Sequence, residues 1–186
     1  MTRLLVLIFG IIAGSVAQAD PVTWRFQWTG ADGYSMAGAM SFDKALMAER
    51  VVREGDVSCF FIEGFYEGQP IGRWALTMLH ERTSWRLHFV PGEGAFVVEG
   101  RGIPMPQAWN MNGAGDDCGK GGFGFNLGNL GQDFCRNDEP LFASRIDPYT
   151  PFPAVRDDGF EMPGDACPGP PVIGMLPHAP TKKGGA

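Results

Sequence analysis

The residues that best combine chemical function with a flexible backbone lie in one segment, WNMNGAGDDC, at positions 109–118. An aromatic ring can cover the C–H face of a sugar, while carboxylate and amide oxygens grouped on a turn suit calcium. An ordinary tight turn is the simpler interpretation, because it also selects Asn, Asp and Gly for their tolerance of left-handed backbone. The functional interpretation is a ligand-binding loop, whose predicted ligand-binding residues are Trp109, Asn110, Asn112, Asp116 and Asp117.

No known catalytic pattern is complete in this chain. The stretch that begins at His80 opens like the zinc-protease pattern HExxH, but Ser84 stands where the second histidine is needed. No G-x-S-x-G nucleophile elbow occurs either. The remaining enzymatic alternative is a small hydrolase of an extracellular polymer, in which Asp116, Asp117 or Asp133 would act as acid and base.

Four cysteines, an even number, are typical of a chain that is oxidised after export. Among the possible pairings we favour Cys118 with Cys135, which closes a short Gly-rich loop, and Cys59 with Cys167, which attaches the C-terminal region. A zinc site is disfavoured because the chain has no C-x-x-C pair and its histidines are far from the cysteines. Paired cysteines also leave no thiolate to act as a nucleophile.

Residues 1–19 have the features of a cleavable secretory signal peptide. Arg3 precedes an apolar run of about ten residues, and a small-x-small triplet ends at Ala19, so cleavage is expected between Ala19 and Asp20. The apolar run is too short for a membrane-spanning helix, which needs about twenty residues. We therefore expect a periplasmic or secreted protein with no membrane span in the mature chain.

Period-two alternation of large apolar residues predicts an all-β fold, either an antiparallel β-sandwich or a flattened barrel. Residues 22–29 and 34–42 alternate on either side of a Gly-containing turn, which predicts an opening hairpin. His88 falls on the polar face of its segment and, like His80, is expected to be solvated. Further strands are predicted at 57–65, 72–79, 85–90, 96–98, 123–127 and 141–146. Four tryptophans share a strand face with other apolar residues and are expected in the core: Trp24, Trp28, Trp74 and Trp85.

Two segments depart from the strand pattern. Asp43 can cap one short helix that runs to about residue 52, because the residues after it are good helix formers. After residue 147 the composition shifts to Pro, Gly and Asp, which predicts extended chain on the surface, partly held by Cys167. The predicted organisation is therefore a signal peptide (1–19), a β-sandwich domain (20–147) and a Pro/Gly-rich tail (148–186).

The segment YSMAGAMSFD, from Tyr34 to Asp43, resembles the opening strand of many uncharacterised secreted bacterial β-sandwich proteins. Some of those proteins are sorted by a C-terminal anchor, but the apolar helix and basic cluster of such an anchor are not found in this chain. The resemblance implies the fold class and no activity.

The formal net charge of −6, with scattered basic residues, argues against nucleic acid as a partner, because phosphate binding needs a concentrated cationic surface. The leading hypothesis is an exported, non-catalytic binding or interaction domain that contacts a glycan or an envelope protein through the region from Trp109 to Asp133. No cofactor is predicted, and calcium is the one metal that this region would suit. The alternatives are the hydrolase above and a purely structural envelope or matrix subunit that adds strands at an exposed sheet edge.

Overall fold

The computed structural model describes residues 20–79, 83–110 and 118–168, which form two antiparallel sheets, so the predicted all-β class is confirmed. No helix in these ranges is long and apolar enough to cross a membrane. In chain order the strands are β1 (Pro21–Thr29), β2 (Tyr34–Asp43), β3 (Val52–Arg53), β4 (Val57–Tyr66), β5 (Gln69–Ala75), β6 (Trp85–Arg86), β7 (His88–Val90), β8 (Ala95–Phe96), β9 (Gln107–Asn110), β10 (Phe123–Gly128), β11 (Gly131–Arg136), β12 (Glu139–Ile146) and β13 (Phe152–Arg156).

The larger sheet has eight strands in the order β3-β7-β8-β13-β1-β2-β4-β5, and the smaller sheet has five in the order β12-β11-β10-β9-β6. The opening hairpin is confirmed, since β1 and β2 pair from Pro21 with Asp43 to Thr29 with Ser35. Alternation along β1 buries Val22, Trp24, Phe26 and Trp28 in the core. The space between the sheets is therefore filled largely by aromatic rings, many of them in edge-to-face contact.

Two glycines let one aromatic ring approach the backbone of the larger sheet. Gly64 and Gly72 are cross-strand partners in β4 and β5. A Cβ atom at Gly72 would lie 2.2 Å from the ring of Phe123, and one at Gly64 would lie 2.3 Å from the same ring. The Phe123 ring therefore rests on the two backbones, and a larger residue at either glycine would displace it.

The predicted helix after Asp43 is shorter and tighter than expected. Asp43 does cap it, because its Oδ1 accepts a hydrogen bond from the Ala45 N–H at 2.8 Å. The segment Lys44–Ala48 is a 3-10 helix, and the backbone is extended again at Glu49. Strand β3, which pairs with β7, begins at Val52, so the chain has no room for further helical turns.

The predicted boundary at residue 147 is wrong, because the following chain supplies a strand in the interior of the larger sheet. Strand β13 lies between β8 and β1 and pairs with both. Phe152 and Ala154 are buried while Pro153 and Val155 face outward. The Pro and Gly residues around β13 are therefore the reason that this half-buried strand was not predicted from the sequence.

Residues 157–168, which we call the strap, run from β13 along the outer face of the larger sheet. Both expected disulfides are present, Cys59–Cys167 and Cys118–Cys135. The first holds the end of the strap to β4, where the Phe60 N–H also donates to the Ala166 carbonyl at 2.7 Å. A long loop closed in this way restricts the unfolded chain strongly and so stabilises the fold.

Candidate functional site

Trp109 is a core residue, which corrects the expectation that its ring is open to a ligand. Its side chain is 0% exposed. Its ring centroid lies 5.0 Å from that of Phe60, 5.2 Å from Phe96 and 5.1 Å from Phe125. The burial of Trp109 could not be recognised from the sequence, because β9 is only four residues long and polar and Gly residues follow it directly.

Asn110 is also buried, and Asn112, Asp116 and Asp117 lie outside the described residues. The Asn110 Nδ2 donates to Asn126 Oδ1 at 2.9 Å, on the outer face of the smaller sheet. The structure therefore places Asn110 in an amide pair, and the glycan or calcium role of the other three residues stays a prediction.

Asp133, the third carboxylate of the hydrolase hypothesis, is held in an ion pair. It faces Asn126 across β10 and β11, and its Oδ2 accepts from Arg145 Nε at 2.6 Å. Since Asp116 and Asp117 are not described, no arrangement of two catalytic carboxylates can be drawn from this region, and the hydrolase stays a prediction.

His88 is buried, so the expectation that it is solvated is wrong. Its exposed fraction is 3%, and its Nδ1 lies 2.9 Å from the Pro106 carbonyl oxygen. Gln107 covers the same strand, since its Oε1 accepts from the His88 N–H and its Nε2 donates to the His88 carbonyl. Strand β7 is thus covered on both faces. His80 lies outside the described residues.

The strongest candidate site lies elsewhere, in a groove on the outer face of the larger sheet, which we call the sheet-face groove. Its volume is about 510 Å³, within the range of roughly 300–1,000 Å³ that is typical of small-molecule sites. The strands that line it are β13, β1, β2 and β4, and the strap forms one side. Its residues are Arg25, Phe26, Gln27, Ala37, Gly38, Phe61, Glu63, Pro153, Val155, Asp157 and Phe160.

The depth of the sheet-face groove follows from the strand register. Ala37 of β2 pairs with Gln27 of β1 on one side and with Glu63 of β4 on the other. Side chains at paired positions point to the same face of a sheet. The small residue in the middle therefore leaves a trough between two longer polar side chains.

A stack of rings and guanidinium groups closes one end of the sheet-face groove. The rings of Phe61 and the strap residue Phe160 are nearly parallel, with an interplanar angle of 10° and centroids 6.3 Å apart. Arg73 lies 5.3 Å from the Phe61 ring centroid, and Arg25 lies 5.0 Å from that of Phe160. Such cation–π contacts hold the strap against the sheet and fix the end wall.

Charges in the sheet-face groove are only partly paired. Arg25 Nη1 donates to Asp157 Oδ2 at 3.2 Å. Arg73, the cross-strand partner of Glu63, forms a bidentate pair with Asp165 instead. Within the described ranges neither Glu63 nor Gln27 makes a side-chain hydrogen bond or ion pair. A carboxylate and an amide therefore remain available to a ligand, beside apolar ring edges.

Sequence reasoning missed the sheet-face groove, although part of the signal was present. The run Phe60-Phe61-Ile62 puts a large apolar side chain on each face of β4, which is unusual for a strand with one solvated face. The alternation in β2 likewise predicts small residues opposite the core face. The sequence does not indicate the strand register that places these faces of β1, β2 and β4 side by side under the strap.

No group of three or more His, Cys, Asp or Glu residues that could hold a metal ion occurs among the residues described. No protein-family model, curated protein or solved structure matches the chain. The resemblance of residues 34–43 to secreted bacterial proteins therefore stays a prediction, and the function has to be argued from the geometry.

Proposed function

We propose that the protein is an exported, non-catalytic binding domain that holds a short neutral oligosaccharide in the sheet-face groove. The observation that carries the proposal is that the carboxylate of Glu63 and the amide of Gln27 have no side-chain partner among the described residues and lie beside the ring edges of Phe61 and Phe160. The two disulfides fit a protein of the periplasm or the extracellular space.

The composition of the sheet-face groove matches the two kinds of surface on a sugar. Phe61, Phe160 and Val155 provide apolar contacts for C–H groups. Glu63 and Gln27 can accept hydrogen bonds from hydroxyl groups, and the amide can also donate. The strands and the double-anchored strap make the groove rigid, which reduces the entropy cost of binding.

The charges that line the sheet-face groove favour a neutral ligand over an anionic one. Arg25 is balanced by Asp157, so Glu63 leaves the sheet-face groove with a net negative charge. Phosphate or sulfate groups would be repelled by this field, whereas hydroxyl groups would not.

The direct test is binding of the mature chain to an array of neutral and acidic oligosaccharides, followed by calorimetry on each sugar that binds. We expect Ala37→Leu to weaken binding at least tenfold, because the added side chain fills the floor of the trough. Ala143→Leu is the matched control, since Ala143 is exposed in β12 on the other sheet.

Two further results bear on the proposal. Glu63→Gln should weaken sugar binding severalfold, because an amide is a poorer hydrogen-bond acceptor than a carboxylate. If no neutral sugar binds, or if both leucine variants bind like the unmodified chain, the sheet-face groove is not the binding site.

A further inference from the structure

A second cavity lies on the opposite outer face of the molecule, beside Arg145 of the smaller sheet, and we call it the Arg145 cavity. It has a volume of about 170 Å³. Polar side chains from β10, β11 and β12 line it, and its apolar side chains come from β12, from the turn between β10 and β11 and from the segment before β9. Its lining includes Met105, Asn126, Leu130, Asp133, Phe142 and Arg145.

Three contacts fix Arg145 in place. Its aliphatic stem crosses Gly131, where a Cβ atom would lie 2.5 Å from Arg145 Cγ. Its Nε donates to Asp133, whose side chain is only 8% exposed, at 2.6 Å. Its guanidinium carbon lies 4.6 Å from the centroid of the Phe142 ring. The side chain has therefore already lost most of its rotational freedom before any ligand arrives.

The donors that Arg145 would use for a ligand remain unoccupied. Neither Nη atom has a hydrogen-bond partner among the residues that the structure describes. A guanidinium presents its N–H groups as a planar fork that matches the two oxygens of a carboxylate. Because Asp133 and Phe142 hold the Arg145 guanidinium in place, it is preorganised to bind a carboxylate.

Apolar side chains define the rest of the ligand. Leu130 is 67% exposed and Phe142 is 65% exposed, although both are large hydrophobic residues. Together with Met105 they form an apolar rim around the Arg145 cavity. Exposed apolar groups beside a fixed polar donor are typical of a site for a ligand with a polar end and an apolar body.

We propose that the Arg145 cavity binds a small organic carboxylate, with its carboxylate on the Nη atoms of Arg145 and its apolar body against Leu130 and Phe142. A cationic ligand is disfavoured, because Asp133 is already paired with Arg145 and the Nη groups can only donate. This site is independent of the sheet-face groove, which lies on the other sheet.

The test uses the mature chain and benzoate as the probe, with benzyl alcohol as its neutral counterpart at constant ionic strength. We expect benzoate to bind with a dissociation constant on the order of 1 mM and to shift the NMR signals of the Arg145 side chain. Benzyl alcohol should bind at least tenfold more weakly.

Arg145→Lys keeps the charge and the aliphatic stem but removes the fork, and it should weaken benzoate binding at least tenfold while the melting temperature changes little. Arg101→Lys is the control, because Arg101 forms an exposed ion pair with Glu93 away from the cavity. Equal binding of benzoate and benzyl alcohol, or unchanged benzoate binding by Arg145→Lys, would overturn the proposal.

Two further ligands separate the natural sources of such a carboxylate. N-acetyl-L-leucine represents the free C-terminus of a peptide, and D-glucuronate represents an acidic sugar. If one of these ligands binds the unmodified chain but not Arg145→Lys, the proposal is supported and that ligand identifies the natural source of the carboxylate. If none of benzoate, N-acetyl-L-leucine and D-glucuronate binds, the proposed ligand class is wrong.

Discussion

Asp158 is the residue whose ionisation bears most directly on the strap. Its Oδ1 accepts a hydrogen bond from the Thr23 backbone N–H of β1 at 3.1 Å. Arg156 donates to the same carboxylate from Nε and from Nη2. The hydrogen bond from Arg156, followed by that from Thr23, lowers the pKa of Asp158 below its ordinary value.

The start of the strap should therefore loosen in acid. Because the pKa of Asp158 is lower in the folded chain, its stabilising effect is complete above the ordinary carboxyl pKa of about 4 and is lost as the pH falls through the folded value. The backbone amide signal of Thr23 in an NMR titration should move with a midpoint below about pH 4.

Asp158→Asn is the control for this titration, since it keeps the shape of the side chain and removes the charge. The Thr23 signal should then show no titration in that pH range. A midpoint at or above the ordinary carboxyl value in the unmodified chain would contradict the assigned hydrogen bonds.

At the scale of elements, the two disulfides close loops of very different length. Cys59 and Cys167 are 108 residues apart, whereas Cys118 and Cys135 are 17 apart. Loop-closure entropy gives about 4–5 kcal/mol for the long loop and about 3 kcal/mol for the short one. The pair Cys59→Ala with Cys167→Ala should thus lower the free energy of unfolding more than the pair Cys118→Ala with Cys135→Ala.

Denaturant unfolding of the two double variants measures this difference. The strap keeps other anchors in the first variant, because the Arg73–Asp165 ion pair does not depend on the disulfide. Equal destabilisation, or a larger loss for the short loop, would show that strain or residual structure outweighs loop entropy in this fold.

Strands whose residues alternate between apolar and polar could be predicted from the sequence, whereas β9 and β11, which are buried on both faces and lack that alternation, could not. Strands β1 and β2 alternate clearly, so their hairpin was predicted nearly to the residue. Strand β11 is buried along all but its last residue, with Asp133 and Cys135 covered on its outer face. Its apolar periodicity is lost as a result, and β9 was missed for the same reason.

At the scale of the whole molecule, the fold class could be predicted because strand alternation is local, and the disulfide pairing because four cysteines allow only three arrangements. The candidate site could not, because it depends on long-range register. Gln27, Ala37, Glu63 and Phe160 meet only when β13 inserts beside β1 and the strap returns across β2 and β4. The tail composition gave no sign of that insertion.

The most direct test of the proposed sugar site in the sheet-face groove is to map amide chemical shifts while the protein is titrated with the best-binding neutral oligosaccharide. We predict that the largest shifts occur at Gln27, Ala37, Glu63 and Phe160, and that the signals of Arg145 and its neighbours stay in place. Shifts concentrated in residues 109–118, or spread over the smaller sheet, would contradict it and return the binding site to the loop first favoured by the sequence.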